Sequence, residues 1–320
     1  MKAMVQDRYG EPDVLRLDDI DPPVPADDQV LVRVHAAGVN PYDWHHLTGT
    51  PYVMRGSSGL RRPTQRVRGL DLAGRVEAVG ANVTRFRPGD EVFGMRDGAF
   101  AEYVCVREDG MLLPKPANLS FEQAAAVPLA ALTAFQGLSG GGDTVHSGQH
   151  VLINGAAGGI GTFAVQLAKA LGATVTGVCS TGNVELVRSL GADEVIDYTR
   201  DDFVRGGPRF DLLLDNVGNR SIRDRRAVLR RDGRLVVVSG PKKGKWLGPL
   251  TQLIAVKLSR ANADMLLTKL DREDLVTVRD LIEIGAVTPI IDRLYPLADL
   301  PEALAYVGTG HAQAKVVVTI

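Results

Sequence analysis

Cysteine is scarce in this chain. Cys105 and Cys179 are the only two in 320 residues, too few for a disulfide framework, and a reduced, intracellular protein is the simpler reading. Long apolar runs are missing too: none approaches the roughly 18 residues that a membrane-spanning helix requires. The opening stretch MKAMVQDRYGEPDVLRL scatters charges where a signal peptide would be apolar. Nor does one sign of charge dominate. Lys and Arg number 37 against 38 Asp and Glu, a formal net charge of −1, so no field draws in nucleic acid or an anionic membrane. Internal repeats and low-complexity tracts are also absent. These absences predict a soluble, cytoplasmic protein whose partner is a small-molecule substrate, with no nucleic acid and no membrane.

What remains is an ordinary globular composition, 45% hydrophobic and 23% charged, in a chain long enough for two domains. Residues 1 to about 118 are strand-like and loop-rich. Short apolar runs such as Val30–Val34, Gly74–Val79 and Phe100–Val106 are separated by Pro22-Pro23, Arg87-Pro88-Gly89-Asp90 and Pro114-Lys115-Pro116. That spacing predicts a compact, mostly antiparallel β domain. At Ser120 the pattern changes. Ser120 and Gln123 fit a capping box, and an Ala-rich helix is expected from there to about Leu138.

From Val151 the chain alternates apolar strands with helical segments. Val151–Asn154, Thr174–Cys179, Glu194–Asp197, Phe210–Asp215 and Arg234–Val238 are continuous runs of the kind buried on both faces of a parallel sheet. Thr162–Leu171 lies between the first two as a helix, with Gly172 placed to end it. The alternation predicts a doubly wound α/β unit. Beyond residue 266 a helix near Arg272–Ile284, a strand-like Val287–Leu294, a short helix near Leu300–Val307 and a last strand Lys315–Thr319 follow. Periodicity alone leaves open whether these extend the α/β unit or return to the first domain.

The strand Val151-Leu152-Ile153-Asn154 runs into Gly155-Ala156-Ala157-Gly158-Gly159-Ile160-Gly161 and then into the helix TFAVQLAKAL. A strand delivers the chain, small residues let the backbone approach a pyrophosphate, and the helix N-terminus offers free N–H groups and partial positive charge. In the G-x-G-x-x-G template Ala156 takes the first position, Gly158 the second and Gly161 the third. Strand before, helix after and further strands beyond favour a dinucleotide site over a plain connecting loop. The second strand ends at Cys179-Ser180-Thr181-Gly182-Asn183, with no acid at its tip. An NAD-binding chain usually carries one there for the ribose hydroxyls, whereas Ser180 and Thr181 tolerate a 2′-phosphate, so NADP(H) is expected. The alternative is that these hydroxyls cap the next helix.

With these residues in view, the chain resembles the medium-chain dehydrogenase/reductase superfamily, and within it the zinc-free quinone oxidoreductase (zeta-crystallin-like) branch. GVNPYDWHHLTG at 38–49, GLDLAGRVEAVG at 69–80, RPGDEVFG at 87–94 and GAFAEYV at 98–104 carry the likeness in the first domain. VLINGAAGGIGTFAVQLAKALGA at 151–173, SLGADEVIDY at 189–198, DNVG at 215–218 and KVVVT at 315–319 continue it. The resemblance implies a GroES-like, mostly antiparallel β domain at 1–118 completed by 267–320. A Rossmann doubly wound parallel sheet would occupy 119–266, with the active site in the cleft. It implies further that Ala156, Ala157, Gly158, Gly159, Ile160 and Gly161 cradle the pyrophosphate. Ser180, Thr181, Asn183 and Tyr198 would surround the adenosine phosphate. Asn216, Val217, Gly218 and Ser239 would line the nicotinamide side, with Thr133 near the ring. Many relatives place a basic residue where this chain has Gly182; Arg188 either compensates or is a solvated helix residue. A homodimer is implied too, and the apolar segment Trp246–Leu258 would suit its interface.

Zinc-bearing relatives place a Cys where this chain has Asn40, a His-Glu pair where it has Leu70-Asp71, and a four-cysteine lobe that two cysteines cannot supply. His45 and His46, adjacent in sequence, face different ways and make a poor chelate. No zinc is expected. Without a Lewis acid to lower a hydroxyl's pKa, hydride delivery from NADPH to a quinone or an α,β-unsaturated carbonyl suits the chain best. The candidates for lining that site are Asn40, Tyr42 and Asp43, from the segment that replaces the zinc loop. Asn40 could bond the cofactor ribose or a substrate carbonyl, and Tyr42 could donate to an enolate or stack on a flat ring. Against this stand a turn role for Asn40-Pro41 and an N-cap role for Asp43. Arg55, Arg61, Arg62, Arg66 and Arg68 read as a solvated loop that steers anionic cofactor; interleaved aromatics, which a nucleic-acid patch would want, are missing. A zinc-independent alcohol or aldehyde dehydrogenase, and a non-catalytic NADPH-binding redox sensor, are the alternatives.

Overall fold

The computed structural model describes residues 1–140, 144–207, 209–238 and 262–320. Ser239 and the segment Trp246–Leu258 lie outside the described residues. The chain divides into two compact units. One comprises Met1–Leu129, Leu270–Glu283 and Pro289–Ile320, and the other Ala130–Lys269 and Ile284–Thr288.

The first unit is built on β3 (Gln29–Val39), whose alternation buries Val30, Val32 and Val34. It pairs antiparallel with β4 (Asp71–Val79), with β6 (Tyr103–Arg107) and with β15 (Lys315–Thr319). Beyond β4 follow β5 (Glu91–Met95) and β7 (Leu112–Pro114), and β14 (Ile291–Pro296) runs parallel to β15 at the other edge. A two-stranded ribbon, β1 (Lys2–Gln6) with β2 (Leu15–Asp19), completes the GroES-like fold. The core joins Val30, Val32, Leu72, Val92, Leu112 and Val316 from the sheet to Leu300 and Leu304 of a helix, Leu300–Thr309. The C-terminal segment therefore returns to the first sheet, which periodicity had left open. Val316, Val317 and Val318, all buried, drive that return.

The second unit is the expected Rossmann sheet. Its strands are β8 (His150–Asn154), β9 (Thr174–Cys179), β10 (Glu194–Asp197), β11 (Phe210–Asp215), β12 (Leu229–Val237) and β13 (Ala263–Met265). They lie in the order β10-β9-β8-β11-β12-β13, and every pairing is parallel. Val151, Leu152, Ile153, Leu213 and Leu235 have no exposed surface, as continuous apolar strands covered on both faces require. The helix after β8 spans Gly159–Ala170, three residues earlier than expected. It closes on Gly172 at φ +83°, where the amide of Ala173 reaches the carbonyl of Ala168 and that of Gly172 the carbonyl of Lys169.

One expected helix is two. Ser120 caps a turn over Phe121–Ala125, its hydroxyl accepting from the Gln123 amide and the Gln123 carboxamide oxygen from the Ser120 amide. A second helix then begins at Pro128 and runs to Ser139. Pro128 has no N–H to give to an upstream carbonyl, so a helix can start at it but not pass through it.

Candidate functional site

Parallel pairing in the second unit brings the carboxyl ends of β8, β9, β10 and β11 to one edge of the sheet. There the residues that follow them, 155–161, 180–183, 198 and 216–218, gather. In doubly wound sheets this is the edge that binds ligands. The glycine turn is held by the amides of Gly155 and Ala156, which both donate to the carbonyl of Val178. Gly158 is the helix N-cap, and a Cβ built on it would meet one atom, the Gly155 carbonyl oxygen, at 3.5 Å. A Cβ on Gly161 would stand 2.1 Å from that oxygen. Gly158 thus leaves open space before the free amides of the first turn, and Gly161 lets the helix pack on the turn.

The loop after β11 hangs on Asp215. Its Oδ1 accepts from the amides of Val217 and Gly218, at 3.1 and 2.9 Å, and from Nδ2 of Asn154 at 2.8 Å. Its Oδ2 takes Nη1 of Arg225 at 2.8 Å in an ion pair that is almost wholly buried. The carboxamide of Asn216 is buried with neither its oxygen nor its nitrogen partnered. A polar group kept dry without a partner is costly, and this one fits a ligand that supplies a donor and an acceptor, as a carboxamide-bearing nicotinamide does. Thr133 lies on the helix that ends at Ser139, with its hydroxyl 2.8 Å from that of Thr268.

At the β9 end neither hydroxyl caps the next helix. Thr181 Oγ1 donates to Asp197 at 2.6 Å, and Ser180 Oγ accepts from Nδ2 of Asn183 at 3.1 Å. Tyr198, 53% exposed, extends from the neighbouring strand end. Asp197 escaped the sequence reading because it lies on β10 and reaches this corner only through pairing. The usable signal was its place as the last residue of a parallel strand beside β9. Arg188 pairs with Glu185 at 2.7 Å.

In the first unit the segment that begins at Asn40 forms a helix, Pro41–Thr48. Asn40 is its N-cap and Asp43 its third residue, whose Oδ2 accepts the Asn40 amide at 2.8 Å. Asp43 is therefore the return arm of a capping box, and not the N-cap itself. Asp43 Oδ1 is buried with no partner, whereas both ends of the Asn40 carboxamide are committed: Nδ2 donates to Asp71 at 2.9 Å, and Oδ1 accepts from Nζ of Lys315. Lys315 also stands 3.6 Å from Asp71, whose other oxygen takes the Leu129 amide at 3.1 Å. All four side chains are at most 3% exposed. The structure thus buries Asn40 and Asp43 in support of the helix. Burial pushes the Asp43 carboxyl up to about 8, with the nearby Asp71 charge adding and the Asn40 amide opposing.

Tyr42 differs. It is half-buried, with its ring tilted 37° against that of His46 at 4.0 Å between centroids. Burial first, then the charge of Asp97, pushes its phenol up to about 12, so the hydroxyl keeps its proton. His45 and His46 indeed serve different groups, the carbonyls of Thr50 and Tyr42. The arginine loop is only partly solvated. Arg61, Arg62 and Arg66 are exposed, the last bonding Asp7 at 2.6 Å, but Arg55 lies 4.5 Å from the ring centres of Tyr9 and Tyr52 and Arg68 is buried. Lys315 was missed because a lysine at the head of an apolar strand reads as a flank.

Among the described residues, no three His, Cys, Asp or Glu side chains gather where they could hold a metal ion. Beside Asn40 and Asp71 the place a metal would need is taken by Nζ of Lys315, which donates to Asn40 Oδ1 and lies 3.6 Å from Asp71. Those residues do not fit a metal.

The zinc-binding dehydrogenase family matches residues 190–318, and the alcohol dehydrogenase GroES-like domain matches residues 26–117. The chain is 36% identical to 2-methylene-furan-3-one reductase of Solanum lycopersicum, over 99% of this chain and 79% of that protein. Among solved structures, the quinone oxidoreductase of Coxiella burnetii superposes with a TM-score of 0.87 at 31% identity, covering 100% and 99% of the two chains. The Escherichia coli quinone oxidoreductase complexed with NADPH superposes at 0.82 and 26% identity, covering each chain fully.

Proposed function

The chain belongs to the medium-chain dehydrogenase/reductase superfamily, in its quinone oxidoreductase-like branch, and we propose that within it the protein is a zinc-independent reductase delivering hydride from NADPH to a quinone or an α,β-unsaturated carbonyl. The observation that carries the metal-free reading is the buried Lys315–Asp71–Asn40 cluster. Zinc-bearing relatives place a Cys at the Asn40 position and a His-Glu pair at Leu70-Asp71, whereas here Nζ of Lys315 donates to Asn40 and lies 3.6 Å from Asp71.

NADPH supplies the hydride when bound. The first-turn amides after Gly158 would hold its pyrophosphate, Ser180, Thr181, Asn183 and Tyr198 its adenosine end, and the Asn216 carboxamide with Val217 and Gly218 its nicotinamide end. Thr133 and Ser239 complete that assignment. Hydride addition to an enone leaves charge on the carbonyl oxygen, and a fixed O–H donor stabilises it as it develops. Tyr42 is the residue assigned that task, because its phenol stays protonated. Asn40 and Asp43 act one step back: the capping box fixes the first turn on which Tyr42 rides, and Lys315 with Asp71 fixes Asn40. The related tomato reductase and the E. coli quinone oxidoreductase with NADPH support the substrate class and the cofactor. Dehydrogenation of an alcohol fits less well, since the Asn40, Asp71 and Lys315 side chains do not fit the metal that would polarise a hydroxyl. The protein is further assigned as a cytoplasmic homodimer.

The test is to mix the protein with NADPH and panels of quinones, enones and saturated ketones while following the absorbance of the reduced cofactor. Consumption with the first two panels and not the third is expected. Tight NADPH binding with no consumption by any panel would leave only the non-catalytic reading.

A further inference from the structure

The corner where β9 and β10 end carries charges that hydride transfer does not use. Cys179 and Asp197, the last residues of these strands, are register partners, so pairing sets the Asp197 carboxylate beside Ser180 and Thr181. Both of its oxygens are engaged. Oδ2 accepts from Thr181 Oγ1 at 2.6 Å, and Oδ1 accepts from the hydroxyl and the amide of Thr199 at 2.8 and 3.0 Å. The Thr181 hydrogen bond leads in holding this carboxyl below its usual range, so it is an anion at neutral pH. The side chain of Arg200, 74% exposed, lies 3.6 Å away. A Cβ on Gly182 would meet nothing within 4 Å, so the rim beside Thr181 is open.

At this strand end a dinucleotide site reads the adenosine ribose. A carboxylate accepts the ribose hydroxyls of NADH, whereas hydroxyls and a cation take the 2′-phosphate of NADPH. This chain has both sets in one place, with the acid arriving from β10 by pairing where β9 itself ends without one. A carboxylate and a phosphate repel each other at such range. Arg200, solvated and hinged on a long side chain, can turn from one to the other, while Arg188 is held by Glu185.

We propose that Asp197 and Arg200 form a cofactor-selecting pair: Asp197 accepts the ribose hydroxyls of NADH and opposes the 2′-phosphate, and Arg200 swings from Asp197 to that phosphate when NADPH binds. The protein consequently binds both reduced nucleotides, with their ratio set at this corner. This rests on the nicotinamide reading of the same edge.

The measurement is the Kd of NADPH and of NADH, each titrated by cofactor fluorescence against the wild type, Asp197→Asn and Arg200→Gln. The carboxamide introduced by Asp197→Asn would still offer an oxygen to the Thr199 amide, and Arg200 is exposed, so both variants should keep the wild-type melting temperature. Asp197→Asn should tighten NADPH by about three- to tenfold and weaken NADH by a similar factor, the range for a partly screened charge or charged hydrogen bond. Arg200→Gln should weaken NADPH by about the same factor and leave NADH alone. A NADPH-to-NADH ratio that neither variant moves, with binding intact, overturns the selecting pair. Failure of the wild type to bind either nucleotide overturns the nicotinamide reading beneath it.

Discussion

Gly158 and Gly161 sit three residues apart in one turn, and different forces hold each of them to glycine. At Gly158 the backbone lies at φ −81° and ψ 174°, extended geometry open to any residue, and the space ahead of its missing Cβ is free. A side chain there would occupy the place proposed for the pyrophosphate while hardly disturbing the fold. Gly158→Val should lose at least about tenfold in NADPH affinity while costing no more than about 1 kcal/mol of stability, the range of a poorer N-cap. Gly161→Val should do the opposite first. Its Cβ would collide with the Gly155 oxygen and the Ala156 backbone, at 2.1 and 2.7 Å, and about 3 kcal/mol of stability should go. Titration with NADPH and thermal denaturation of both variants check the pair; equal stability losses would refute the division of labour. The sequence made this turn legible because close backbone approach leaves a compositional trace. It left the partners of Asn40 and Asp43 unread, since a capping box and a polar active-site segment are written in the same letters. Lys315 and Asp71, which hold the Asn40 carboxamide, come from positions 275 and 31 residues away from Asn40.

Among the elements, the parallel strands were the easiest to read. Burial on both faces demands continuous apolar runs, and β8, β9 and β11 carry them. The Ala-rich stretch after Ser120 was read through its break, because apolar periodicity continues across Pro128 even though the hydrogen-bond ladder cannot. The charged ends of strands were harder. Asp197 and Asp215 each terminate a strand, and their roles depend on neighbours that pairing supplies. Asp215 is the stronger case: one carboxylate holds the ends of β8 and β11, the 216–218 loop and Arg225. Asp215→Ala should cost about 3–5 kcal/mol, because Arg225 would remain buried with no counter-charge. Adding Arg225→Met should recover part of that loss. Urea denaturation of the two variants measures it, and a double variant less stable than Asp215→Ala would show that the ion pair is not the source.

For the molecule as a whole, the C-terminal strand β15 has two duties. Its valines complete the first sheet beside β3, and its leading residue, Lys315, puts its Nζ into the pocket of Asn40 and Asp71. The family likeness spans the chain from end to end, so the superfamily was legible from motifs in both units. Reaction class was less so, because the zinc-binding dehydrogenase family also matches residues 190–318. The zinc-independent reading proposed here rests on Asn40 and Leu70-Asp71 standing where zinc-bearing relatives place ligands, and on the buried Lys315 Nζ beside them. The most direct test is turnover of NADPH with an enone after exhaustive dialysis against a strong chelator, with zinc content measured on the same sample. A zinc-independent reductase should keep full activity at negligible zinc and gain none when zinc is restored. Activity that vanishes with the metal and returns on adding zinc would contradict that reading.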